Sequence, residues 1–303
     1  MAPLSPHPTA TLSCLHRADG SASFTHNSTQ ILASVNGPME IRARDEHYSK
    51  AVLEIIIRPS IGVATYREKY LESRLRGALE PIVLKSMAPR TLIQVVVQIV
   101  QVGELGMKKV GATNANEYTP LLLLPSLITT SLLALLDASV PLTSTLDTFL
   151  VTVNPSNTDD LDSQIHINPY TSPPLLYTST SAHVLVYSTS ISSPPDWRSR
   201  EGPYHLTDEA GPETINDSPQ QGDLVFVESE GRFSWEVWER VEWLVRRECM
   251  GLSGKEDDVN MDVDEEIVVR EGDEGRKWGK GMMARLVREV VGKKVGRELR
   301  WRK

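Results

Sequence analysis

The chain is poor in cysteine: two in 303 residues, Cys14 and Cys249, with no CxxC pair and no histidine spaced beside them. That excludes a disulfide framework and a zinc site read from spacing, and leaves two reduced thiols as the expectation. Aromatic residues are also sparse, at 6% with four Phe. No repeat of fixed period runs along the chain, which argues against a solenoid or propeller. Residues 1–11 have no basic lead and no long apolar segment, so no signal peptide is expected. The most apolar run, Leu121 to Leu136, is broken by Pro125 and by Thr129-Thr130-Ser131. It is short for a bilayer span of roughly 20 residues, so it reads as a core helix and no membrane partner is expected.

What is present is an ordinary globular composition, with 40% hydrophobic and 24% charged residues. The charge is unevenly placed. Residues 276–303 hold eleven Lys or Arg and two acids, a net +9, which leaves −17 on the rest of a chain whose total is −8. A basic tail behind an acidic body points to a polyanion or an acidic protein surface as its partner.

The chain is organised around residues 18–102. Asp19-Gly20 reads as a hairpin turn, because Gly supplies the positive φ such turns need. Asn27-Ser28-Thr29 reads as a second turn. Gly37-Pro38 is expected to end the third strand, since Pro cannot donate to a ladder. Val52 to Ile57 and Ile93 to Val100 are nearly continuous apolar runs, expected as strands buried on both faces. Between them, Leu71, Leu75, Ala78, Leu79 and Ile82 recur at helical spacing, giving a helix over about 65–85. Meander, strand, helix and strand make an α+β core with a helix covering one sheet face.

Further on, the pattern predicts a helix over 120–139 and strands over 146–153, 182–187 and 222–228. Glu230-Gly231 reads as a turn. A helix over 234–249 follows, with Trp235, Trp238, Val241, Val245 and Cys249 on one face and Glu242-Arg246 as an i,i+4 pair. The expected organisation is one domain over residues 10–250. Polar insertions fall at 107–118, 154–171 and 191–221, then an acidic linker at 251–275 and a basic helix at 276–303.

Several motifs resemble a known family. Ala18-Asp19-Gly20-Ser21-Ala22, Thr29 through Val35 and Gly37-Pro38-Met39-Glu40 resemble the N-terminal signature of the RNase PH family. Ala43-Arg44, Arg58-Pro59, Gly62-Val63-Ala64-Thr65, Arg67-Glu68 and Glu228 through Ser234 resemble its eukaryotic branch, the ring subunits of the RNA exosome. The likeness covers about 10–190 and 222–250; the family's Arg-rich lead-in is absent. The resemblance implies an RNase PH-like fold, of the ribosomal protein S5 domain 2-like type, with mixed sheets covered by helices. It also implies a ring of six such subunits around an RNA channel, with three cap subunits above it. Such rings process and degrade RNA from the 3′ end, including ribosomal RNA, in nucleus, nucleolus and cytoplasm.

Phosphorolysis of RNA needs a phosphate pocket, cations for the RNA backbone, and carboxylates for acid–base or metal-assisted chemistry. At the family's phosphate-binding turn stands Val102-Gly103-Glu104-Leu105-Gly106, where Glu104 repels an anion. At the place of its carboxylates stands Ser179-Thr180-Ser181-Ala182-His183, with no acid. Arg67 matches a basic position best, with Arg74 and Arg76 on the same helix as further RNA contacts; each also reads as an ordinary surface charge. The expectation is therefore a non-catalytic ring subunit with no cofactor and no metal. An active phosphate-dependent exoribonuclease is the alternative, and a standalone nucleic-acid-binding protein a third reading. Asp159, Asp160 and Asp162 read as a solvated loop, and Asp262 to Glu266 as an acidic run without the spacing of a calcium loop. His183 reads as a core histidine, and Trp235 with Trp238 as core or interface, since Glu236 and Glu239 flank them.

Overall fold

The computed structural model describes residues 8–27, 29–102, 120–154, 164–169, 179–189, 222–250 and 282–298. The insertions at 107–118 and 191–221 and the linker at 251–275 lie outside them. The chain builds β1 (Thr9–Leu12), β2 (Gly20–His26), β3 (Thr29–Glu40), β4 (Val52–Arg58), α1 (Tyr66–Leu79), β5 (Thr91–Gln101) and α2 (Pro120–Asp137). It continues with β6 (Thr145–Val153), β7 (Ile165–Ile167), β8 (Ser181–Thr189), β9 (Leu224–Gly231), α3 (Trp235–Met250) and α4 (Met282–Glu298).

The strands form two sheets, in the orders β1-β2-β3-β5-β4 and β7-β6-β8-β9. All pairs are antiparallel except β4 with β5, whose connection is α1. That is the geometry a crossover helix imposes. One continuous core joins the inner face of the first sheet (Ala33, Val35, Ile55, Ile57, Val97) to α1 and α2 and to Leu150, Val184 and Val186 of the second sheet. A smaller core lies on the opposite face of the second sheet, where Phe149, Val151, Leu185 and Tyr187 pack beneath Val241, Val245 and Cys249 of α3. The layers are therefore sheet, helices, sheet, helix.

Residues 66–79 form α1 because Thr65 and Glu68 make a capping box, each side chain serving the other's backbone N–H. The helix ends at Leu79, short of the expected 85. Pro81 lacks the N–H an interior position needs. Helix α2 is long and apolar enough to cross a membrane, yet 78% of that window is buried inside the protein. It is the central core helix.

Four expectations are corrected. Val52 to Ile57 and Ile93 to Val100 are each buried on one face only, alternating along the strand. β4 is an edge strand, and its outward Glu54 accepts a hydrogen bond from Gln94 at 2.7 Å. β-Branched residues at outward positions hide this alternation in the sequence. The third strand does not end at Gly37-Pro38. Pairing resumes at Met39 with Leu92 after an irregularity, and the Gly37 N–H donates to Asp19 Oδ2 at 2.8 Å. Likewise Glu230 and Gly231 are not a turn but the end of β9, paired with Ala182 and Ser181. The loop over 154–171 contains β7, which pairs with Val151 to Val153. Three residues are too few for periodicity to reveal.

Glycine is demanded where α2 crosses β2. A Cβ on Gly20 would sit 2.3 Å from the Ala138 nitrogen and 2.4 Å from the Ala134 carbonyl oxygen. Both are backbone atoms, so no side chain can yield. Gly20→Ala is expected to cost about 1–3 kcal/mol, the range for overpacking. An unchanged midpoint in denaturant unfolding would show that α2 shifts freely.

Candidate functional site

Helix α1 lies between β4 and β9 and carries the three arginines singled out from the sequence. Arg67 is in the first turn, half-buried, with its guanidinium 5.8 Å from the Tyr66 ring centre. Arg74, two turns later on the same side, faces β9. Its Nε lies 3.2 Å from Glu228 Oε2, and its guanidinium sits over the Tyr70 ring at 4.8 Å. The Tyr70 hydroxyl donates to Glu228 Oε1 at 2.6 Å. Burial, with Glu228 beside it, pushes the Tyr70 phenol up from its ordinary value. Arg76 is exposed in the last turn, nine residues from Arg67 and so half a helical revolution away. The fold thus puts Arg67 and Arg74 on one side and Arg76 on another.

The same helix is tied down by its acids. Glu72 is buried and accepts from the Ile57 N–H at 3.0 Å and from Lys69 at 2.8 Å, closing the end of β4. In the sequence Glu228 falls in the expected strand over 222–228 and in a family motif, and no local pattern links it to residue 74. Only the placement of β9 beside α1 joins them.

At the start of β8 the hydroxyls are used for structure. Thr180 Oγ1 donates to the Val153 carbonyl at 3.0 Å, beside a backbone bond from the Thr180 N–H to the same oxygen at 2.9 Å. Ser181 Oγ lies 3.1 Å from His183 Nε2. Nδ1 of His183 lies 2.8 Å from Ser229 Oγ. The Phe233 and Trp238 rings pack at 4.7 and 5.6 Å from the imidazole. His183 is fully buried, and burial pushes its pKa down to about 4. It is a neutral core histidine, bonded on both nitrogens, as expected. Trp238 belongs to the same core, but Trp235, the first residue of α3, is 74% exposed.

The turn at Gly103 to Gly106, with Glu104, lies outside the described residues, as do Asp159, Asp160, Asp162 and residues 262–266. Among the described residues there is no group of three or more His, Cys, Asp or Glu that could hold a metal ion. Cys14 is exposed and Cys249 buried, both free thiols. Burial, with Asp147 and Glu248 nearby, pushes the Cys249 thiol up to about 12.

The C-terminal helix α4 docks on its own chain. Val287 is buried, and Leu286, Val290 and Val291 are half-buried. Lys294 Nζ reaches Asp137 Oδ1, at the end of α2, at 2.6 Å. Asp137 also accepts from the Ser21 N–H at 2.8 Å and from the Ser13 hydroxyl at 2.9 Å. Burial alone would raise the carboxyl, but these donors outweigh it and hold it below the usual range. Trp278 and the Met282 and Met283 side chains lie outside the described residues.

One mixed and one antiparallel sheet enclosing a buried helix, with a crossover helix at α1 and a further helix on the second sheet, give an RNase PH-like fold. Residues 8–141 match the RNase PH family, 3′ exoribonuclease family, domain 1. It is similar to the exosome complex component RRP46 of Saccharomyces cerevisiae, 39% identical over 135 residues, 45% of this chain and 56% of that protein. It is also similar to the exosome complex component rrp46 of Schizosaccharomyces pombe, 41% identical over 87 residues, 29% of this chain and 38% of that one. The chain thus spans about half or less of the length of these curated relatives. The crystal structure of rice Rrp46 shares the fold, with a TM-score of 0.56 at 23% identity, covering 80% of this chain and 87% of that one.

Proposed function

We propose that the chain is a non-catalytic RNase PH-type ring subunit of the RNA exosome. It serves as scaffold and channel wall for 3′-to-5′ RNA processing and decay, including ribosomal RNA maturation, in nucleus, nucleolus and cytoplasm. Its partners are the other RNase PH-type ring subunits, the cap subunits and the RNA threading the ring. The observation that carries this reading is the start of β8. Where the chemistry wants carboxylates, Thr180 and Ser181 stand instead, and their hydroxyls are committed to Val153 and His183. A neutral hydroxyl is a poor general base, and the Thr180 hydroxyl already donates its proton to the Val153 carbonyl. Arg67, Arg74 and Arg76 are the RNA contacts in this reading, acting on phosphates rather than bases.

The test is release of nucleoside diphosphates from single-stranded RNA with inorganic phosphate and Mg²⁺, together with co-expression of other RNase PH-type ring subunits. The expected result is co-purification with those subunits and no product above the protein-free blank. Phosphorolysis that disappears when residues 179–181 are changed to alanine would establish the alternative, an active phosphate-dependent exoribonuclease.

A further inference from the structure

The geometry points to the cleft between α1 and β9 as an oxyanion site for phosphate groups that the chain fills with its own carboxylate, Glu228. Three observations carry this. The Glu228 carboxylate receives on one oxygen the Tyr70 hydroxyl, at 2.6 Å, and on the other faces the Arg74 guanidinium, at 3.2 Å. A phenol and a guanidinium converging on two oxygens of one anion are the donors a phosphate takes. The fit is also incomplete. Arg74 Nε is buried and has no hydrogen-bond partner of good geometry, although it lies 3.2 Å from Glu228 Oε2. A planar carboxylate held on a strand does not satisfy a donor that a tetrahedral anion with more oxygens could reach. Finally, the cleft is open: the Arg74 side chain is 41% exposed and Tyr70 39%. Both donors are therefore accessible once the carboxylate is removed or neutralised.

In this arrangement Glu228 is an internal competitor. RNA phosphate reaching α1 must displace it, which keeps the grip weak. A surface that RNA slides past gains from that, because each strong contact would have to be broken at every step. The inference deepens the RNA-contact part of the function proposed above. It is independent of catalysis and of ring assembly, since an isolated chain can fail to gain RNA affinity and still assemble.

The bland account is that Glu228 simply pins α1 to β9. The two accounts differ in what Glu228→Gln does. The glutamine keeps an acceptor for Tyr70 and the shape of the side chain, and removes only the charge. Binding of the full chain to a fluorescent single-stranded oligoadenylate is measured across salt concentrations, with inorganic phosphate as competitor. Glu228→Gln is expected to bind about tenfold tighter at low salt, the size of one charge-assisted contact. Its log–log salt slope should steepen by about 0.7, the value for one more phosphate neutralised on a single strand. Glu228→Gln with Arg74→Gln should return to the parent's affinity, and Glu228→Ala should repeat the gain. Competition by millimolar phosphate would place the source in the anion itself; its absence, with the gain intact, would place it in the RNA backbone. If neither Glu228 variant gains affinity while thermal unfolding shows both folded, or if the gain survives loss of Arg74, the inference is overturned and the pair is a structural pin.

Discussion

Asp137→Ala is expected to destabilise the protein by about 3–5 kcal/mol, the range for removing one partner of a buried, hydrogen-bonded ion pair. The carboxylate ends α2 and joins three separate parts of the chain: the Ser21 N–H at the start of β2, Ser13 in the connection before it, and Lys294 of α4. Its removal leaves the Ser21 N–H buried without its acceptor and Lys294 three-quarters buried beside no charge. Asp137→Asn should recover part of the loss, because an amide oxygen still accepts from Ser21 but does not offset the lysine. Lys294→Ala should cost less, since the carboxylate keeps its backbone and serine donors. Urea unfolding of the three variants gives the order. A loss below about 1 kcal/mol for Asp137→Ala would mean that the hub is solvated in solution and that α4 does not dock there.

Acid should destabilise the fold through His183. Its pKa is about 4 in the folded protein against the ordinary 6.5, so between those values the unfolded chain binds the proton and the folded one does not. The stability this group contributes is full above about pH 6.5 and is lost as pH falls toward 4. That difference corresponds to about 3 kcal/mol at most. Asp137, with its lowered pKa, loses its contribution only below the ordinary carboxylate value of 3.8, so the two windows are separable. Unfolding free energy measured from pH 8 to pH 4 should fall most steeply below 6.5, and His183→Gln should flatten that fall. A wild-type profile level across this window would show that the imidazole takes its proton without unfolding.

Arg67, Arg74 and Arg76 share one helix, but Arg76 lies on another side of it from Arg67 and Arg74. Nine residues along a helix separate Arg67 from Arg76 by half a turn, which spacing alone reveals. That Arg74 is already paired does not follow from spacing, because Glu228 lies 154 residues away. Separations of 116 and 157 residues likewise hide the Asp137 hub.

By itself the sequence determined the α+β class, the core helix around residues 121–136, the strands around residues 149 and 184, and the buried His183. These are legible because hydrophobic period, turn chemistry and residue identity are local properties. Only the tertiary structure decided which strands are edges, that α4 returns to its own chain, that Trp235 faces outward, and that Arg74 meets Glu228. Each of those depends on where two segments distant in sequence come to lie, and the energy of such a contact is set by distance and burial, neither of which is written in the order of residues.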